Sequence, residues 1–113
     1  MKTIIAFIRP SKEETVREAL HVIPGLTGAS FSDIRGFGRG RREDANEGQN
    51  EIIVGTAPRV RVEIMVPGDL VKTVADAIAQ AAHTGHRGDG KIYVQALDSA
   101  RRISTGETAE AAV

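Results

Sequence analysis

Two kinds of apolar spacing take turns along the chain. KTIIAFIR, residues 2–9, is a nearly continuous apolar run of the kind a buried strand carries, and Pro10 ends it. Ser11 with Glu14 three residues later has the form of a capping box. Val16, Ala19, Leu20 and Ile23 then recur at helical spacing, which predicts a helix over 12–22 with one apolar stripe. Pro24-Gly25 stops it. TGASFSDIRGF, residues 27–37, sets Ala29, Phe31 and Asp33 against Ser30, Ser32 and Ile34, an imperfect alternation that predicts a second strand. RVRVEIMVP, residues 59–67, is the clearest strand, with Arg59, Arg61 and Glu63 outward and Val60, Val62 and Ile64 inward. A second helix is predicted over 68–83, with Val71, Val74, Ala75, Ile78 and Ala82 on one face. Asp69 near its start and His83 near its end both suit the helix dipole. KIYVQAL, residues 91–97, is the last core strand.

Strand, helix, strand, twice over, is the split βαβ order. The expected architecture is α+β and ferredoxin-like, βαββαβ, with two helices on one face of a four-stranded antiparallel sheet. A single domain over 1–113 leaves no third layer for the other face, so self-association through that face is the economical way to cover it.

Between the second and third strands runs GFGRGRREDANEGQNEIIVGTAP, residues 36–58, almost without apolar residues from 38 to 51. A structureless stretch of this length inside a compact domain is either functional or a tolerated insertion.

Composition narrows the classes. A chain of 113 residues with 41% hydrophobic and 27% charged residues suits one soluble domain. The formal net charge is zero, so neither nucleic acid nor an anionic membrane is an expected partner. There are no cysteines, which removes disulfides and thiolate chemistry and fits a reducing cytoplasm. The apolar run at the N-terminus is too short for a signal peptide or a membrane span.

Glycine-bearing segments stand at three strand ends: Gly36-Phe37-Gly38-Arg39-Gly40, Gly85 to Gly90, and the Arg101–Gly106 stretch. Glycines let backbone N–H groups converge on an anion, and Lys91 and Arg102 add charge that phosphate recognises. Each segment alone is equally readable as a glycine turn beside a basic residue, with Arg101 and Arg102 on a solvated strand edge. Gly85-x4-Gly90-Lys91 has the spacing of a phosphate-binding P-loop, yet Ile92 stands where that motif requires Ser or Thr, and a strand follows instead of a helix. Asp89 reads either as a turn residue bonding its own backbone or as a carboxylate orienting a ribose or a basic neighbour. His21, His83 and His86 share no metal-ligand spacing, and no nucleophile, base and orienter can be assembled. The residues favour a binding protein over an enzyme.

Several stretches in fixed order carry a resemblance. They are IRP-x-K at 8–12, VREAL at 16–20, GFGR at 36–39, TG-x-x-GDGKI-x-V at 84–94 and RI-x-TGE at 102–107. Over nearly its whole length the chain resembles the PII signal-transduction proteins. The resemblance implies a homotrimer with adenine-nucleotide sites in the clefts between subunits. It also implies a T-loop (about 37–58) that docks on an unidentified transporter or enzyme, a B-loop (84–91) and a C-terminal loop and tail (98–113). Carried over by position, Gly88, Asp89, Gly90 and Lys91 form the phosphate cradle, with Gly38 and Arg39 from the T-loop base and Arg102 from a neighbouring subunit. Ser30 replaces a Thr that bonds adenine, Phe7 and Met65 line the base pocket, and Gly28, Gly36 and Phe37 shape the cleft. Arg41, Arg42, Glu43, Asp44, Glu47, Glu51 and Ile52 form the partner-binding loop.

Three departures from the family pattern shape the expectation. Ile52 stands where nitrogen-regulatory members carry the uridylylated Tyr, and residues 36–58 hold neither Tyr nor Ser. Gly40 replaces a Gln that helps hold the magnesium of ATP and 2-oxoglutarate, while Arg59 matches a lysine that pairs with the 2-oxoglutarate carboxylate. Ser104 replaces a second tail arginine on the outer phosphates. The expectation is a divergent member that prefers ADP or AMP, with ATP possible and no essential metal. A small anion such as bicarbonate would sit near Arg39, Gly40 and Arg59. The alternatives are a nitrogen-regulatory protein responding to ATP and 2-oxoglutarate, and a slow nucleotide hydrolase.

Overall fold

The computed structural model describes residues 1–38 and 56–113. Strands β1 (Lys2–Ile8), β2 (Ser30–Gly36), β3 (Ala57–Val66) and β4 (Lys91–Ala96) form one sheet in the order β2-β3-β1-β4. Every neighbouring pair is antiparallel. Helix α1 (Glu13–His21) connects β1 to β2, and α2 (Val71–Ala82) connects β3 to β4. This is the ferredoxin-like βαββαβ arrangement that the order of apolar patterns predicts.

The two central strands carry the core. Ile4, Ala6 and Ile8 of β1 and Val60, Val62, Ile64 and Val66 of β3 are none more than 2% exposed. Val16 and Leu20 of α1 and Val74, Ile78 and Ala82 of α2 close over them. A strand turns successive side chains to opposite faces, so the register defines the other face too. It presents Ile5 and Phe7 of β1, Arg59, Arg61, Glu63 and Met65 of β3, Ser30, Ser32 and Ile34 of β2, and Lys91 and Tyr93 of β4. No described element covers that face.

The predicted capping box does not form. Pro10, Ser11 and Lys12 make a 3-10 turn, closed by Lys12 N–H donating to the Arg9 carbonyl at 2.9 Å. Ser11 is therefore inside that turn. Lys12 becomes the N-cap of α1, with no side-chain cap bond. Proline favours the first position of a helical turn because its missing N–H has no partner to lose there, so it starts the turn before Ser11 can cap. A matching 3-10 turn, Gly68–Leu70, opens α2. Strand β2 starts at Ser30 instead of residue 27, and Thr27 to Ala29 lie outside any element.

Candidate functional site

The B-loop is built around one carboxylate. Asp89 accepts hydrogen bonds from the Thr84 N–H (2.8 Å), the Gly85 N–H (2.9 Å), the Thr84 hydroxyl and Arg9 Nε (3.1 Å). Partial burial by itself would raise its pKa. The donors from Thr84, Gly85 and Arg9 outweigh that and hold the carboxyl well below the usual carboxylate range. Arg9 Nη2 also donates to the Arg87 carbonyl at 2.7 Å. One guanidinium from the end of β1 thus grips the loop on both sides of Gly88. The glycines are required: Gly88 and Gly90 have φ of +94° and +104°, and a Cβ on Gly90 would lie 1.7 Å from the Phe7 carbonyl oxygen.

The loop and the strand ends around it enclose a cleft of about 600 Å³, within the range of small-molecule sites, roughly 300–1,000 Å³. Gly36, Phe37 and Gly38 line it from the end of β2, Gly88 and Gly90 from the loop, and Arg59, Arg87 and Lys91 add three cationic side chains. Among the described residues that line it, none is a carboxylate. Asp89 faces a separate apolar cleft with Ile78, Ala82 and His83. Phe7 and Tyr93 form the floor, edge to face with ring centroids 6.0 Å apart, and the Arg61 guanidinium lies 6.0 Å from the Phe7 centroid. Arg61 also pairs with Glu63 at 3.3 Å.

The remaining site residues lie elsewhere. Met65 pairs with Thr3 and Ser30 with Glu63, at the far end of the sheet from Gly36 and Arg59. Met65 stands six positions along β3 from Arg59, and Ser30 six positions along β2 from Gly36, which is about 20 Å at the usual rise. Gly28 lines a second cleft of about 320 Å³ with Arg17, His21 and Phe31. Arg102 is in the tail, its Nε 3.3 Å from Glu107 Oε1 inside a tight turn where Gly106 N–H donates to the Arg102 carbonyl. Arg39, Gly40, Arg41, Arg42, Glu43, Asp44, Glu47, Glu51 and Ile52 lie outside the described residues.

Within one chain, then, the structure joins Phe7, Gly36, Phe37, Gly38, Arg59, Gly88, Gly90 and Lys91. It leaves Gly28, Ser30, Met65 and Arg102 apart from them. Sequence reasoning missed Arg9, Ile34, Arg87 and Tyr93. Of these Arg87, flanked by Gly88 and one position from a second basic-capable residue, carried a signal that could have been found.

A sequence model of the family described as Nitrogen regulatory protein P-II matches residues 1–107. The chain belongs to the P-II family. The Nitrogen regulatory protein P-II of Rhodospirillum rubrum is 44% identical over 107 residues, 95% of each chain. The Nitrogen regulatory protein P-II 1 of Escherichia coli K12 is 42% identical over 113 residues, spanning both chains entirely. Among solved structures, PII of Arabidopsis thaliana bound to citrate superposes with a TM-score of 0.79 at 34% identity, covering 99% of this chain and 91% of that one. P-II proteins are regulatory signal transducers.

Among the described residues, no group of three or more His, Asp or Glu side chains is placed to hold a metal ion. No helix there is long and apolar enough to cross a membrane.

Proposed function

We propose that this P-II protein is a regulatory sensor of adenine nucleotides, ADP or AMP in preference to ATP, and that it reads them in clefts between copies of itself. The observation that carries this reading is the split of the site across the open sheet face. One end offers cations, glycine amides and an aromatic floor for phosphate. The other end, about 20 Å away, offers Ser30 and Met65 for a base. A nucleotide can use both ends when a second copy brings its Ser30 and Met65 against the first copy's Gly88 and Lys91. The open face gives the copies a surface to join, and a ring of three closes the contact without loose ends.

Citrate bound to the Arabidopsis relative fits a fold that accepts compact polyanions. A small anion such as bicarbonate near Arg59 extends the same chemistry. The output is a change in how residues 37–58 meet a target protein, either a transporter or an enzyme.

A second reading, a nitrogen regulator responding to ATP with 2-oxoglutarate, is favoured by the names of the relatives. Gly40, which has no side chain to ligate magnesium, weighs against it. Calorimetry with ATP, ADP and AMP, alone and with magnesium plus 2-oxoglutarate or with bicarbonate, separates the two. Magnesium-dependent tightening of ATP by 2-oxoglutarate selects the second reading. Absence of binding by all three nucleotides overturns both.

A further inference from the structure

We propose that the cleft between helix α1 and the start of β2 is a binding site for a small carboxylate that carries a short, branched apolar body. It is separate from the cleft that the B-loop borders and does not depend on the nucleotide reading. Its volume is about 320 Å³, at the small end of the range for small-molecule sites, roughly 300–1,000 Å³.

Floor and rim differ in chemistry. Leu20, Leu26, Ala29 and Phe31 make the floor. Leu20 is 4% exposed, and the other three pack against the margin of the core. Phe31 is paired with the buried Val62, so its ring turns to the helix side of the sheet. The rim is polar. Arg17 and His21 stand four residues apart on α1, on the same face as Leu20. Thr27 lines the cleft from the segment before β2. Among the described residues, Arg17 enters no hydrogen bond or ion pair that would hold its guanidinium elsewhere.

That combination selects the ligand. A guanidinium fork can hold both oxygens of a carboxylate at once, and the Thr27 hydroxyl and the His21 ring are further hydrogen-bonding groups beside it. A carboxylate leaves water only where its charge finds such partners. Below them, four apolar side chains are there to take up a hydrocarbon body. Acetate offers the charge and leaves the floor unused. A short alcohol fills the floor and leaves Arg17 unanswered. The small volume favours a compact, branched body over a long chain.

The test is calorimetric titration of isovalerate, acetate and isoamyl alcohol into the full chain and into Arg17→Ala, Arg17→Lys and Ala29→Leu, with thermal melting to check that each variant folds. Wild type should bind isovalerate about tenfold tighter than acetate or isoamyl alcohol. Arg17 is exposed, so its replacement should leave the melt unchanged. Loss of its charge-assisted contact predicts about tenfold weaker isovalerate binding in Arg17→Ala. Arg17→Lys should recover part of that loss, since lysine keeps the charge but not the fork. Ala29→Leu keeps the cation and fills the cleft, so it should abolish binding; if it does not fold, the two Arg17 variants decide the matter. ADP affinity should be the same in wild type and Arg17→Ala, because Arg17 does not line the B-loop cleft. Absence of isovalerate binding by wild type, acetate bound as tightly as isovalerate, or equal isovalerate affinity in wild type and Arg17→Ala overturns the proposal. So does a loss of ADP affinity in Arg17→Ala as large as the loss for isovalerate, which would make Arg17 part of the nucleotide site. Failure of wild type to bind ADP, with isovalerate bound as expected, overturns the sensor reading and upholds this site.

Discussion

Arg9 and Asp89, eighty residues apart in sequence, meet with Nε 3.1 Å from Oδ1, and both side chains are about one quarter exposed. The pair ties the end of the first strand to the loop that opens the last one. Since the same guanidinium also donates to the Arg87 carbonyl, it couples the loop's shape to β1 instead of leaving it to the loop's own turn geometry.

Arg9→Ala should lower stability by about 1–3 kcal/mol, because it strips a half-buried carboxylate of its charged donor and a carbonyl of its partner. It should also weaken nucleotide binding, since the loop no longer holds Gly88 and Lys91 in place. Arg9→Lys should restore less than half of the binding, because an ammonium cannot reach two acceptors with a planar fork. Denaturant melts and titrations on the three proteins check this. Full rescue by lysine would show that charge alone matters.

The acid limb of the stability curve should depend on Asp89. Its folded pKa is depressed, so its contribution is present above the unfolded value, about 3.9, and is lost as the pH falls from there toward the lower folded value. Asp89→Asn keeps the shape but not the charge. Wild type should melt higher than the variant at pH 7, and the gap should narrow steadily below about pH 4. A gap that stays constant down to pH 2 would show that the carboxylate's charge contributes nothing.

Gly90→Ala should be among the most damaging single substitutions in the chain. The added Cβ would lie 1.7 Å from the Phe7 carbonyl oxygen, on backbone with φ +104°. Backbone cannot swing away as a side chain can, so either β4 separates from β1 or the loop refolds, at a cost above about 3 kcal/mol. Gly68→Ala is the control, because nothing lies within 4 Å of a Cβ there. Equal melting of the two variants would sink the packing argument.

Much of the fold is legible in sequence because the period of apolar residues reports secondary structure directly. Val60, Val62 and Ile64 alternate with Arg59, Arg61 and Glu63, and the sheet divides them by face as the pattern requires. Local signals fared worse where two of them competed. Ser11 and Glu14 have capping-box spacing, but Pro10 imposes a 3-10 turn one residue earlier and takes Ser11 into it. The site was legible as motifs and not as geometry. GDGK reads as a phosphate loop from glycines and a lysine, whereas the choice between the two readings of Asp89 depends on Arg9, which no spacing rule connects to it. Nor does any local pattern reveal that Ser30 and Met65 lie a full strand away from Gly36 and Arg59. That follows from register, and register is a property of the folded sheet.

The open face of the sheet is where assembly can be tested apart from folding. Ile5 sits in its centre, paired with Glu63 on one side and Tyr93 on the other. Its side chain points away from the core occupied by Ile4 and Ala6. Ile5→Glu should therefore leave the helix-side packing intact and the monomer folded. It should oppose association, because a carboxylate carried into an interface beside Glu63 is both desolvated and repelled by its neighbour. Light scattering coupled to size exclusion should show three copies for wild type and a monomer for the variant, with similar far-ultraviolet circular dichroism. Nucleotide binding should fall with assembly, because each cleft then has phosphate-side residues and no base-side residues facing them. A variant that is monomeric and still binds ADP at wild-type affinity would place the whole nucleotide site within one chain and remove the reason for joining its two halves.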